Sequence, residues 1–129
     1  MSNIRHLFVL LLLLLLLGFT QSVAAEDKFA IAADGDQAVA EVANLAGIAP
    51  FFHLYDVNGK LLEVVPNPHL DMEYGIGPAA AASLADMGVT VLVARRIPGP
   101  KMDAVLTERG VRIVRRIGTV QDVANELSE

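Results

Sequence analysis

The second half of the chain constrains the fold most tightly. Val89 to Ala94 is a near-continuous apolar run of β-branched character, the pattern of a strand covered on both faces. Helical spacing flanks it. Upstream, Pro78 suits the first turn of a helix that runs through Ala79 to Met87 and stops at Gly88. Downstream, Pro100 opens a helix whose apolar Met102, Val105 and Leu106 follow three-and-four spacing, with Gly110 as its stop. Val111 to Ile117 reads as another strand. Thr119 then caps a last helix with Val120, Val123, Ala124 and Leu127 on one face and Asp122 placed to complete the cap. Strands alternating with helices in this way call for parallel pairing through right-handed crossovers.

The first half adds an antiparallel member. Phe29 to Ala33 is a short apolar strand ended by Asp34-Gly35-Asp36. The alanine-rich segment Gln37 to Pro50 suits a helical turn and a loop equally. Phe51 to Val57 and Lys60 to Val65 flank Asn58-Gly59, and that dipeptide between two apolar runs predicts a hairpin. Pro66 to Tyr74 is a loop. The expected architecture is α/β: a five-stranded mixed sheet with helices on both faces.

Residues 1–25 read as a cleavable export signal. Arg5 and His6 precede the apolar run Leu7 to Leu17, and Ser22-Val23-Ala24-Ala25 supplies small residues before a cut at Ala25-Glu26. The apolar stretch falls short of the ~20 residues that span a bilayer, although retention as an anchor is the competing reading. The expectation is a periplasmic or secreted domain, residues 26–129, with no membrane attachment after cleavage. That domain keeps all 15 acidic residues and nine of the ten bases, a formal charge of −6. An acidic domain is a poor partner for nucleic acid. With no cysteine, disulfides, thiolate metal sites and dithiol redox chemistry are excluded.

Several short motifs in order carry a family resemblance: Ala49-Pro50-Phe51-Phe52, Asn67-Pro68, Gly75-Ile76-Gly77 before an alanine-rich helix, Leu84 to Val89, and Gly99-Pro100-Lys101 through Arg109-Gly110-Val111. On these the chain resembles the dinitrogenase iron-molybdenum cofactor biosynthesis family, over roughly Lys28 to Leu127. The resemblance implies a ribonuclease-H-like sheet and a domain that binds or carries an iron-sulfur or iron-molybdenum type cluster. The chain departs from the family's His-Phe-Gly-Arg-like stretch, where Asn44-Leu45-Ala46-Gly47 stands. It also carries an export signal, whereas nitrogenase cofactor assembly is cytoplasmic.

In a sheet of that order, the loops after strands one, three, four and five gather at one edge, where open α/β sheets bind ligands. Three candidates lie there. Gly75, Ile76 and Gly77 precede a helix start and offer close backbone approach and free N–H groups to an anion, or simply a tight strand-to-helix turn. Arg95 and Arg96, with Arg115 and Arg116, end two strands. Adjacent strand residues face opposite ways, so at most one arginine of each pair joins a shared anion clamp. The alternative for Arg115 or Arg116 is charge protecting an edge strand. His53 and His69 are the histidines of the domain and its candidate metal ligands; beside Asp71, Met72 and Glu73, His69 offers a mixed metal-ligand set or a plain solvent-facing loop side chain.

The function these readings favour is non-enzymatic: an exported carrier holding a metal cluster or small anionic ligand at the strand-end rim. Two alternatives stand beside it. One is a protein-interaction subunit of an exported assembly that docks through Gln37 to Pro50 or the fifth strand. The other is a hydrolase on the same scaffold, disfavoured because Arg95-Arg96 stands where a metal-binding acid is needed and Asp34 alone makes no two-metal site.

Overall fold

Near-continuous burial along the three central strands builds a sheet with two covered faces. The computed structural model describes residues 26–128; the expected export signal, residues 1–25, lies outside them. The strands are β1 (Phe29–Ala33), β2 (Phe51–Tyr55), β3 (Leu61–Pro66), β4 (Val91–Ala94) and β5 (Arg112–Arg115), in spatial order β3-β2-β1-β4-β5. β1 pairs antiparallel with β2 and parallel with β4, β2 pairs antiparallel with β3, and β4 pairs parallel with β5. Four strands therefore share a direction and β2 opposes them. The helices are α1 (Ile76–Asp86), α2 (Pro100–Glu108) and α3 (Val120–Leu127), with a 3-10 turn at Ala46–Ile48.

Successive strand side chains point to opposite faces, and the two cores follow from that period. Ala30, Ala32, Phe52, Leu54, Leu92 and Ala94 pack with Leu84 of α1 and Met102 and Leu106 of α2. Ile31, Ala33, Val91 and Val93 pack with Val120, Val123 and Ala124 of α3. Fully burying Leu84, Leu92 or Leu106 contributes about 1.5–3 kcal/mol each. Helix ends fall where the sequence places them: Gly88 and Gly110 adopt positive φ beyond α1 and α2, and Thr119 Oγ1 accepts the Asp122 N–H at 3.2 Å. Among the described residues no helix is long and apolar enough to cross a membrane.

Two local readings are refined. The hairpin forms, but Asn58-Gly59 does not occupy both centres of a tight type I′ turn, because Asn58 does not adopt the positive φ that turn needs. Gly59 N–H instead donates to the Asp56 carbonyl at 3.2 Å, and Asp56 Oδ1 accepts from the Asn58 and Lys60 amides. The result is an ordinary turn followed by a left-handed glycine, the three-residue hairpin solution. The segment 37–50 is largely a loop tied down by bridges. Val42 N–H donates to Gly118, Val120 N–H to Ala40, and Val42 lies opposite Ala33. The chain then crosses from the α3 face, where Val42 packs, to the α1 face, where Ala43 and Ala46 pack.

Gly59 has φ 79°, and a Cβ there would lie 2.8 Å from Ser128 Cβ at the end of α3. Gly110 has φ 75° with open space around it. Gly110→Ala should therefore cost only backbone strain, about 1–2 kcal/mol, and Gly59→Ala measurably more, because the hairpin must also part from α3. Urea denaturation of both variants checks the order.

Candidate functional site

The four strands of common direction end together, and two clefts open along that edge. The first, about 400 Å³, is walled by Leu45 to Ile48, by Gly77 and Pro78 at the start of α1, and by Pro98 to Met102 leading into α2. Its lining is mostly apolar side chains and glycine backbone. Neither helix start is capped by a side chain: Gly75 is the N-cap of α1 with φ 75°, and Gly99 that of α2. The first intrahelical amides to find acceptors are Ala79, on Gly75 O, and Asp103, on Gly99 O. First-turn N–H groups before them have no helical acceptor, which leaves the amides of Gly77, Lys101 and Met102 at the cleft. Two helix dipoles thus present their positive ends to one space, with the exposed Lys101 on its border.

Glycine is required here for packing. A Cβ on Gly47 would stand 2.9 Å from Gly77 Cα, and one on Gly77 would stand 3.2 Å from Met102 Cβ. The 3-10 turn and α1 therefore meet backbone to backbone, and the Met102 side chain of α2 packs directly on Gly77. Asn67 fixes this junction. It is 5% exposed, and its Nδ2 donates to Gly47 O at 3.1 Å and Ala49 O at 3.0 Å. Its Oδ1 accepts the His69 amide at 3.1 Å. In the sequence Asn67 stands out only through the Asn67-Pro68 motif, which marks a turn and the family resemblance but no role at the site.

The two histidines lie on opposite faces of the sheet. His53 faces the α3 side with Ile31, its register partner. It is buried, and its Nε2 donates to Gly35 O at 2.8 Å, which leaves Nδ1 without a partner. His69 instead joins Ser83 Oγ on α1 at 2.7 Å, on the other face of the sheet. Among the described residues no three His, Cys, Asp or Glu side chains group to hold a metal ion. His69 ties the loop after β3 to α1.

The glycine turn and the arginines also separate. Arg95, Arg115, Arg116 and Ile117 line a second cleft of about 400 Å³. Arg96 is not part of it; its amide donates to Asn44 O at 3.2 Å and its side chain is exposed. Both Arg115 and Arg116 contribute, against the expectation from strand alternation, because β5 ends at Arg115 and Arg116 is released from that period. Gly75 and Ile76 shape the start of α1, whereas Gly77 alone of the three lines the first cleft.

Removing the Asn67 carboxamide strands two backbone acceptors. Asn67→Ala should cost about 1–3 kcal/mol and speed amide exchange at residues 46–49. Ser83→Ala, which takes only the His69 contact from α1, should leave exchange at that turn near its original rate.

The chain matches the family described as "Dinitrogenase iron-molybdenum cofactor" over residues 27–129. Among solved structures it is similar to the apo form of the orange protein from Desulfovibrio gigas, at 25% identity and a TM-score of 0.72, covering 81% of this chain and 88% of that one. It is also similar to a putative NifB protein from Thermotoga, at 30% identity and a TM-score of 0.65, covering 79% of this chain and 87% of that one. No curated protein matches it. The motif order, the mixed five-stranded sheet and the match over the whole described domain agree: the chain belongs to the dinitrogenase iron-molybdenum cofactor family.

Proposed function

We propose that this domain is an exported carrier that holds a preassembled anionic metal-sulfur cofactor, or a small anion of similar charge, in the cleft between the starts of α1 and α2. The observation that carries the reading is the convergence of first-turn amides from two uncapped helices on one largely apolar space bordered by Lys101. Membership of an iron-molybdenum cofactor family supports the class of cargo. The donor set fits such a body: no cysteine exists to ligate it, and the cleft offers N–H groups and an ammonium, which suit sulfide or oxide edges of an anion.

Holding, rather than transforming, is what this arrangement favours. Each helix start contributes about 0.3–2 kcal/mol toward a nearby negative charge, and glycine lets the cargo approach the backbone. Such attachment is reversible, as a carrier requires. The protein-interaction reading finds support in Val39, Leu45 and Ile48, which are exposed apolar side chains in the segment 37–50. Leu45 and Ile48 border the same cleft, so a docking partner and the cargo would meet there.

Anaerobic titration with tetrathiomolybdate, followed by its visible spectrum, tests the carrier reading. Saturable binding should weaken with salt, and Lys101→Glu, at an exposed position, should lower affinity by about tenfold, the equivalent of ~1.4 kcal/mol. Absence of binding, or binding indifferent to Lys101→Glu and to salt, would overturn it. For export, mass spectrometry of the protein recovered outside the cytoplasm should show Glu26 as its first residue; an intact Met1 start would contradict cleavage.

A further inference from the structure

The second cleft is a concentration of positive charge on an otherwise acidic domain. Arg95, Arg115 and Arg116 line it together with Ile117, which is 75% exposed. Among the described residues neither Arg95 nor Arg115 forms an ion pair, and Arg116 has only Glu126 of α3, 3.7 Å from its Nε. Three like charges in one cleft repel unless something neutralises them.

Backbone carbonyls hold the side chains of Arg115 and Arg116. Arg115 Nε donates to Arg95 O at 3.4 Å, and Arg116 Nη1 donates to Arg115 O at 2.8 Å. The Arg95 amide is anchored on Ala43 O and the Arg116 amide on Ala94 O. A guanidinium carries five N–H donors, so each of these two spends one on the backbone and keeps the rest. Guanidinium forks that keep free N–H donors, two of the three with no carboxylate partner among the described residues, are the chemistry that takes up phosphate-like groups through paired N–H donors.

We propose that the Arg95–Arg115–Arg116 cleft binds a doubly charged oxyanion, phosphate or sulfate in type, at a site separate from the cleft between α1 and α2. Glu126 sits at its edge as an internal competitor for Arg116. The exposed Ile117 gives the cleft an apolar wall, so the oxyanion can be a free ion or the headgroup of a small organic molecule.

Nitrogen-15 NMR titrations of the protein with inorganic phosphate, sulfate and phenyl phosphate test this. Saturable shifts should centre on the amides of Arg95, Arg115, Arg116 and Ile117. Arg115→Gln should weaken binding by about tenfold, whereas Glu126→Gln should tighten it. Arg112→Gln makes the same change of charge at the far end of β5, where Arg112 pairs with Asp27 at 2.9 Å, and should leave affinity unchanged. Tighter binding of phenyl phosphate than of inorganic phosphate identifies a phosphorylated organic ligand; equal affinities identify the free ion. Shifts that never saturate, equal loss in Arg112→Gln and Arg115→Gln, or shifts confined to Gly77 and Met102 would overturn the proposal. The last outcome would leave the carrier reading standing.

Discussion

One buried carboxamide holds the candidate site together. Asn67 reaches back across the sheet edge to the carbonyls of Gly47 and Ala49 and at the same time accepts the His69 amide. The two Nδ2 bonds tie the loop after β3 to the 3-10 turn before β2, and the third closes that loop on itself. With the turn fixed, Gly47 can lie against Gly77, and Gly77 against Met102. A side chain at either glycine would push the elements apart, and a loose turn would let them drift. The cleft is therefore a consequence of a hydrogen-bonded pin and of two missing Cβ atoms.

What this junction exposes is equally a matter of what is left out. Side-chain caps would normally satisfy the first amides of α1 and α2, and neither helix has one. Proline occupies the first position of α2, where its missing N–H costs nothing. The remaining amides sit beside apolar walls, where the local dielectric is lower than in water and a charge–dipole contact is correspondingly stronger. On the proposed reading, a chain with no cysteine and, among the described residues, no metal-binding cluster of histidines and carboxylates would hold an anionic body by this route and let it go again. Such weak, distributed contacts suit carriage better than permanent attachment.

Much of the fold was legible in the sequence because its cues are local. Gly88, Pro100, Gly110 and Thr119 terminate or cap helices through backbone chemistry that residue type alone determines. The alternation of Val89–Ala94 with helical spacing likewise admits few topologies. The hairpin was legible as a hairpin, yet its turn type depended on Asp56, whose carboxylate captures two amides and moves the turn back by a residue. The site was legible only in part. The rim and Gly77 followed from topology and motif. The role of Asn67 did not, since its partners lie at a sequence separation of 18 to 20 residues. The division of the rim into two clefts was equally hidden, because it turns on β5 ending one residue before Arg116. His53 lies on β2 and His69 in the loop after β3; the β2 register turns the first to the α3 face, and the Ser83 contact holds the second on the α1 face.

The location of a bound metal-sulfur anion is the most direct test of this account. Crystals grown with tetrathiomolybdate and measured at the molybdenum absorption edge would place the metal by anomalous scattering. The account predicts a peak in the cleft beside the amides of Gly77, Lys101 and Met102. A peak at the histidines, or at the arginines alone, would contradict it.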